Sequence, residues 1–234
     1  MLLAASAVGS AAGGTKTAAR ERFPHRYTLT DSKIGRWAPV LRRAAAHRRP
    51  DAASPVVATL SAVTGEWTQN IVLVASGIDV DRSETWYEVR LPILPNGSTG
   101  WVRRTALGNL YTVHTHLYVN RRTFTATLER DGRTIFTTRV GVGRPSSPTP
   151  AGQFYIRDLI TGFDDPFFGP VAFGTNGRSA VNTDWPRGGV IGIHGTNAPD
   201  LLPGAVSHGC IRMVNSAILR LVKLMPVGSP LTVT

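Results

Sequence analysis

Alternation of apolar and polar residues with a period of two limits the folds open to this chain more than any other feature. In the run WYEVRL, the apolar residues Tyr87, Val89 and Leu91 alternate with charged ones, which indicates a strand with one buried face. The dipeptides Asn96-Gly97 and Asp131-Gly132 follow or separate such runs, and both are typical of hairpin turns. The sequence therefore predicts a mainly β protein.

Three segments of different composition divide the chain. We interpret residues 1–50 as a signal-like apolar start followed by an Arg- and Ala-rich tether, with room for a short helix around residues 36–47. Residues 51–110 are predicted to form a small β module, and residues 111–234 a second, mostly β domain.

One short helix is predicted near the end of the second domain. Asn215 can cap it, and Pro226 and Gly228 end it. Its apolar face consists of Ile218, Leu221, Val222 and Met225. The strand PLTVT then closes the chain.

The formal net charge of +11 comes almost wholly from arginine. Such an excess attracts anions, including nucleic acid, anionic lipid and acidic wall polymers. The basic clusters LRRAAAHRRP and WVRRT lack interleaved aromatic residues for stacking on bases, so we predict solvated surfaces and no nucleic-acid partner. No apolar run approaches the roughly 20 residues that span a bilayer, which predicts at most a peripheral membrane association.

The only cysteine, Cys210, lies in SHGCIRM, downstream of the strand-like run GVIGIHG. If the linking NAPDLLPGAV folds back as a loop, His194 comes to lie beside the thiol. An adjacent imidazole lowers the pKa of a thiol and accepts its proton, provided that a third group holds the imidazole in one tautomer. The carbonyl of the His194-Gly195 turn can do this, and Gly209 allows successive N–H groups to face a developing oxyanion.

Other interpretations of these residues remain open. His194, His208 and Cys210 together offer three zinc ligands, although no CxxC or HxxxH pair supports a metal site. An isolated cysteine is also often buried and inert. Trp185 lies in the loop-rich segment before the motif, where it either lines a substrate cleft or packs.

The pattern HGT followed by SHGCIRM resembles the active-site signature of the L,D-transpeptidases, the cysteine enzymes that cross-link bacterial peptidoglycan. His194 and Cys210 are 16 positions apart, and the likeness extends over residues 111–234, including PTPAGQF, GPVAFGTN and the closing strand. It implies a β sandwich with a short C-terminal helix. The run WYEVRLPILPNGSTGWV resembles bacterial SH3-like modules, which implies a small β barrel for residues 51–110.

The resemblance implies a role for each residue of the motif. Cys210 would be the nucleophile and His194 the general base, with the Gly195 carbonyl orienting the imidazole. The backbone of His208, Gly209 and Cys210 would form the oxyanion hole.

Residues beside the nucleophile are predicted to shape the loop and to meet the substrate. Ser207 and the imidazole of His208 would shape the loop, and Arg212 would support it or bind a substrate carboxylate. We assign Ser207, Arg212 and Trp185 to substrate binding.

The family also implies a reaction that needs neither cofactor nor metal. The enzyme would take the terminal D-Ala from a tetrapeptide stem and form a 3→3 cross-link between peptidoglycan stem peptides, outside the cytoplasmic membrane. Carbapenems would be covalent inhibitors. Alternatives on the same fold are an L,D-carboxypeptidase and a wall-protein attachment enzyme, and a non-catalytic wall-binding protein is a third.

Overall fold

The structure, a computed structural model, describes residues 23–183 and 189–234. The predicted signal-like segment and Trp185 lie outside the described residues. Within them the chain forms eighteen strands and a single α-helix, which confirms the mainly β prediction. Three short 3-10 helices occur at Arg104–Ala106, Pro166–Phe168 and Pro199–Leu201.

The first eight strands form one antiparallel sheet, the first sheet. Its spatial order is β4-β3-β7-β6-β5-β2-β8, and β1 pairs with β5 beside this path. The strands are β1 (His25–Thr28), β2 (Gly35–Pro39), β3 (Ala44–His47), β4 (Val56–Leu60), β5 (Ile71–Asp79), β6 (Thr85–Arg90), β7 (Thr99–Arg103) and β8 (Tyr111–Val113).

The prediction of a tether, with a possible helix around residues 36–47, was wrong for residues 25–47. These residues supply β1, β2 and β3, and Ala38, Ala44 and Ala46 are buried in the hydrophobic core of the first sheet. At the other end, β8 extends the first sheet beyond residue 110. The limits 51–110 and 111–234 and the SH3-like character of the module stay predictions.

The remaining ten strands form the second sheet, in the order β11-β10-β9-β18-β13-β14-β15-β17-β12-β16. The Asp131-Gly132 turn joins β10 to β11, and Gly132 has a φ of 75° that favours glycine. The strands are β9 (Thr115–Asn120), β10 (Thr125–Arg130), β11 (Arg133–Arg139), β12 (Gly141–Gly143), β13 (Gly152–Thr161), β14 (Val171–Arg178), β15 (Val190–His194), β16 (Gly204–Ser207), β17 (Ile211–Arg212) and β18 (Pro230–Val233).

The helix α1 (Asn215–Leu224) packs on the second sheet through its predicted apolar face. Asn215 does not cap it as predicted: the N-cap is Val214, and no side chain makes a capping hydrogen bond. The Asn215 side chain instead accepts a hydrogen bond from the backbone N–H of Thr196 at 2.9 Å. The helix is thereby joined to the turn that follows β15. No helix in the described ranges is long and apolar enough to cross a membrane.

Direct contacts join the two sheets. The buried ring of Tyr155 on β13 packs against Ile71 and Leu73 of β5, and its hydroxyl donates to the Ile71 carbonyl at 3.1 Å. Asn96 of the predicted turn donates to the Arg178 carbonyl at 2.7 Å and accepts from the Arg178 N–H at 2.9 Å. The first sheet is therefore docked against the strands that lead to the cysteine.

Candidate active site

Parallel pairing of β15 with β17 brings the predicted histidine and cysteine to one place. Ile193 pairs with Ile211 and His194 with Arg212, so the end of β15 lies beside the residues that follow the thiol. His194 and Cys210 both line a cleft of about 810 Å³. The structure thus brings these two predicted site residues together.

His194 is held in one tautomer. Its side chain is 2% exposed, and Nδ1 lies 2.6 Å from the Gly195 carbonyl oxygen. A carbonyl can only accept a hydrogen bond, so Nδ1 carries the proton and Nε2 keeps its lone pair. The rings of Phe167 and Phe168 contact the imidazole, with centroids 5.9 and 5.2 Å away. The site therefore contains a neutral, oriented imidazole with a basic Nε2.

Close backbone packing fixes the carbonyl that holds His194. A Cβ atom at Gly195 would clash with Oδ1 of Asn215, and one at Gly169 would clash with the Gly195 backbone. Oδ1 of Asn215 also binds the Thr196 N–H. Glycine is thus required at both positions, and the turn after β15 has little freedom to move.

Burial keeps both reactive groups neutral. Burial lowers the pKa of His194 to about 4, against the raising effect of the Gly195 carbonyl, and the Arg212 charge lowers it further. Burial also raises the pKa of Cys210, although the Gly192 N–H, 3.4 Å from Sγ, and the Arg212 charge both lower it. In the free protein burial outweighs these two contacts, so the net effect is a raised thiol pKa.

Alkylation of Cys210 by iodoacetamide is expected to accelerate about tenfold per pH unit between pH 6 and 9, because only the thiolate reacts and the pKa is raised. The rate can be followed by intact mass, with Cys210→Ala as the background. A rate that is already constant above about pH 5 would instead show a preformed thiolate–imidazolium pair.

Ser207 shapes the cysteine loop. Its hydroxyl donates to the Cys210 carbonyl at 2.6 Å and accepts from the Gly209 N–H at 3.1 Å. The side chain has no exposed surface. The assignment of Ser207 to substrate binding is therefore wrong, since a ligand in the cleft cannot touch it.

Hydrogen bonds from the loop between β12 and β13, and from Asn182, hold His208 and Gly209. The Ser147 hydroxyl and the Asn182 amide each donate to the His208 carbonyl at 2.8 Å. The Thr149 hydroxyl donates to the Gly209 carbonyl at 2.7 Å. The sequence did not predict the supporting roles of these three residues, although Thr149 lies in the run PTPAGQF that carries part of the family resemblance.

The side chain of His208 contacts Arg144. Its Nε2 contacts Nη2 of Arg144, and burial together with the Arg144 and Arg212 charges lowers the pKa of the imidazole. The backbone carbonyl of His208 joins the cysteine loop to Ser147, in the loop between β12 and β13.

Arg212 supports the loop and does not line the cleft. It is 7% exposed, and its guanidinium stacks 4.4 Å from the centroid of the Phe167 ring. Of its two predicted roles, the structure favours support over contact with a substrate carboxylate. Trp185 lies outside the described residues. Among the described residues, no group of three or more His, Cys, Asp or Glu side chains is arranged to hold a metal ion.

Comparisons with known proteins point to one family. Residues 114–233, about half of the chain, match the family YkuD, described as the L,D-transpeptidase catalytic domain. The putative L,D-transpeptidase YkuD of Bacillus subtilis is 33% identical over 123 residues, which cover 53% of this chain and 68% of that protein.

Solved structures of L,D-transpeptidases are also similar to this chain. The Ldtfm–avibactam carbamoyl enzyme has a TM-score of 0.42 and 22% identity, covering 51% of this chain and 48% of that one. L,D-transpeptidase 3 of Mycobacterium tuberculosis, with a faropenem-derived adduct, has a TM-score of 0.41 and 16% identity, covering 64% and 91%. This chain thus spans about half the length of the Ldtfm–avibactam carbamoyl enzyme. On the family match and the B. subtilis relative, this chain belongs to the YkuD family of L,D-transpeptidase catalytic domains.

Proposed function

We propose that this protein is a peptidoglycan L,D-transpeptidase that forms 3→3 cross-links through a thioester on Cys210. One observation supports this function above all: Cys210 and His194 line the same cleft, and the Gly195 carbonyl at 2.6 Å leaves Nε2 of the imidazole as the base. A thiol beside an oriented base is the arrangement that acyl transfer requires.

The first half of the reaction acylates the enzyme. The Cys210 thiol gives its proton to Nε2 of His194 while Sγ bonds to the carbonyl carbon between the third stem residue and the terminal D-Ala. The tetrahedral intermediate then collapses, Nε2–H protonates the amine of the departing D-Ala, and the thioester remains. Because both groups start neutral, proton transfer accompanies attack rather than preceding it.

The second half resolves the thioester. An acceptor amine on a neighbouring stem attacks the thioester carbonyl and gives a proton to Nε2 of His194. Collapse expels the sulfur, which recovers the proton from Nε2, and a new amide joins the two stems. The Gly192 N–H, 3.4 Å from Sγ, stabilises the sulfur whenever it carries negative charge.

The oxyanion needs a donor near the nucleophile. The Gly209 N–H donates to the Ser207 hydroxyl at 3.1 Å and is therefore engaged within the loop. We assign the oxyanion contact to the N–H of Cys210, whereas the family resemblance implied the backbone of His208, Gly209 and Cys210. The carbonyls on either side of that N–H are fixed by Thr149 and Ser207, which limits its reorientation during the reaction.

The substrate implies a location outside the cytoplasmic membrane, at the cell wall. A net charge of +11 favours association with an acidic wall polymer. Covalent β-lactam inhibitors belong to the same proposal: two related enzymes carry an avibactam carbamoyl group and a faropenem-derived adduct. We extend this to carbapenems acting on Cys210.

Carbapenem labelling tests the nucleophile. Ring opening by Sγ adds the whole inhibitor, so the intact mass of the protein should rise by one carbapenem mass. Cys210→Ala should gain nothing. An unmodified native chain, or equal labelling of Cys210→Ala, contradicts the proposed chemistry and favours a non-catalytic wall-binding protein.

The products made from tetrapeptide stems identify the acceptor. Cross-linked dimers bearing a 3→3 bond are expected from the native chain and not from Cys210→Ala. Shortened tripeptides without dimers would show that water is the acceptor and that the enzyme is a carboxypeptidase.

A further inference from the structure

The cleft that holds Cys210 is built by both sheets. One wall belongs to the second sheet and carries His194 and the thiol. The opposite wall comes from the first-sheet part of the chain, from residues 59–61 and 63–66, Asn70 and the Pro92-Ile93 pair after β6. A substrate that reaches the thiol therefore contacts residues outside the segment 114–233 that matches the family.

Two arginines of the second sheet line this cleft where the strand ladders are irregular. Arg157 lies at the bulge of β13, where the register shifts between Ile156 and Asp158. Arg178 ends β14, after a shift of register that begins at Gly174. Bulges redirect side chains and are frequent beside active sites. Both arginines are half-buried.

The first sheet orients both guanidinium groups. Nε of Arg157 donates to Oδ1 of Asn70 at 3.0 Å, and Nε of Arg178 donates to the Pro92 carbonyl at 3.1 Å. Asn70 is itself 2% exposed and donates to the Ser61 carbonyl at 2.6 Å. Each arginine thus uses its Nε–H for a contact between the sheets, which fixes the plane of the guanidinium and of its terminal nitrogens.

Two carboxylates, those of Asp158 and Glu66, line the cleft together with the two arginines. Asp158 also lines the cleft but is 6% exposed, with Oδ2 3.5 Å from the Thr68 hydroxyl, and it fits because Gly174 opposite has no Cβ. Glu66 lies half-buried on the opposite wall. Burial, and then the charge of Arg157, lower the pKa of Arg178. Both guanidinium groups line the same cleft, where they can make charge-assisted hydrogen bonds to an anion.

We propose that Arg157 and Arg178 bind a carboxylate of the stem peptide, and that the first sheet positions them for this contact. The proposal rests on the proposed function, because stem peptides supply the carboxylates. Guanidinium and carboxylate groups match in a planar, two-bond geometry, which makes recognition specific as well as strong. The first sheet is then a part of the substrate site and not a separate wall-binding module alone.

Binding to Cys210→Ala tests the subsite without requiring chemistry. The probes are a tetrapeptide ending in D-Ala with free carboxylates and a set of the same peptide with one carboxylate at a time converted to a carboxamide. Adding Arg157→Gln or Arg178→Gln should weaken binding of the free peptide about tenfold each, as expected for loss of a charge-assisted hydrogen bond. The carboxamide that replaces the recognised carboxylate should bind Cys210→Ala about tenfold more weakly than the free peptide does. The glutamine variants should bind this carboxamide and the free peptide with equal affinity.

Arg103→Gln is the matched control, because it removes the same charge from an exposed ion pair with Glu84 that does not line the cleft. It should bind the free peptide as Cys210→Ala does. Arg157→Lys and Arg178→Lys keep the charge and should lose less affinity than the glutamine variants. Thermal unfolding verifies that each variant is folded.

Three results would overturn the subsite. These are no measurable binding of the free peptide to Cys210→Ala, equal affinity for the peptide and all its carboxamides, and an equal loss in Arg103→Gln. A failure of the proposed function looks different: the peptide binds with the expected dependence on its carboxylate, but the protein that retains Cys210 does not process it. Iodoacetamide carries no charge and does not need the two arginines. It should therefore label Cys210 at the same rate with and without the arginine substitutions.

Discussion

Replacing His194 by glutamine is expected to lower the rate of acyl transfer by about three orders of magnitude, since general bases contribute roughly 10²- to 10⁴-fold. Glutamine can still donate to the Gly195 carbonyl but cannot accept the thiol proton. The measurement is the rate of dimer formation from tetrapeptide stems at pH 8, together with the rate of carbapenem labelling. Both should fall together, because both begin with attack by the same sulfur.

The same substitution should make the protein less sensitive to acid. The pKa of His194 is about 4 in the folded chain and about 6.5 when unfolded, so between these values the unfolded chain binds the proton. Stability is therefore complete above about pH 6.5 and falls as the pH drops towards 4, by roughly 3 kcal/mol for this residue. Urea unfolding at pH 8, 5 and 4 should show a smaller loss of stability in His194→Gln than in the native protein.

His25→Gln provides a control for this pair of effects, because His25 is an exposed histidine on β1 outside the cleft. It should leave both the transfer rate and the acid sensitivity as they are. If His194→Gln keeps more than a tenth of the native rate, His194 is not the general base. If its stability falls with pH as steeply as in the native chain, the imidazole is not held neutral by burial.

His194→Gln is expected to lower the transfer rate and to reduce the sensitivity to acid, and both effects follow from the burial of the imidazole. A solvated imidazole would cost less to fold but would be partly protonated near neutral pH and unable to accept a proton. Burial against Phe167 and Phe168 keeps Nε2 unprotonated, and the single contact with Gly195 leaves it available. Activity and acid stability are thus opposed at this residue.

Local patterns in the sequence predicted the strands that are both regular and flanked by clear turns. β6 and β15 appear where WYEVRL and GVIGIH indicate them, and Gly97 and Gly132 adopt the positive φ that their turns require. The strands β1, β2 and β3 were missed. In β3 the buried residues are Ala44 and Ala46, which do alternate, but alanine has little preference for strands and the flanking arginines resemble a solvated segment.

Contacts between distant segments explain what the sequence could not predict about the site. Nothing near SHGCIRM indicates that the Thr149 hydroxyl, sixty positions away, holds the Gly209 carbonyl. Asn215 was interpreted as a helix cap because its local context fits one, whereas the folded chain uses it on Thr196. Of the predicted site residues, His194 lines the cleft with Cys210, whereas Ser207 and Arg212 do not. The partners that hold those residues are set by the fold and carry no local signal.

Gly209→Ala is expected to reduce acyl transfer at least about 100-fold and to destabilise the protein by about 1–3 kcal/mol. Gly209 has a φ of 121°, a conformation that residues with a Cβ rarely adopt and that costs about 1–3 kcal/mol. An added Cβ would also lie 3.0 Å from Cδ1 of Ile191. Rotation of the backbone to relieve this strain would break the contacts of its N–H with Ser207 and of its carbonyl with Thr149.

Breaking those contacts matters because the next residue is the nucleophile. Cys210 would lose the orientation of both its N–H and its sulfur, and small displacements of reacting groups cost large factors in rate. Gly132→Ala distinguishes backbone strain from displacement of Cys210. Gly132 also has a positive φ, of 75°, but nothing lies within 4 Å of an added Cβ. Its turn joins β10 to β11 and does not include the nucleophile. That variant should lose stability in urea unfolding and keep the native rate of carbapenem labelling. Equal loss of labelling in both variants would mean that general destabilisation, and not the position of Cys210, sets the rate.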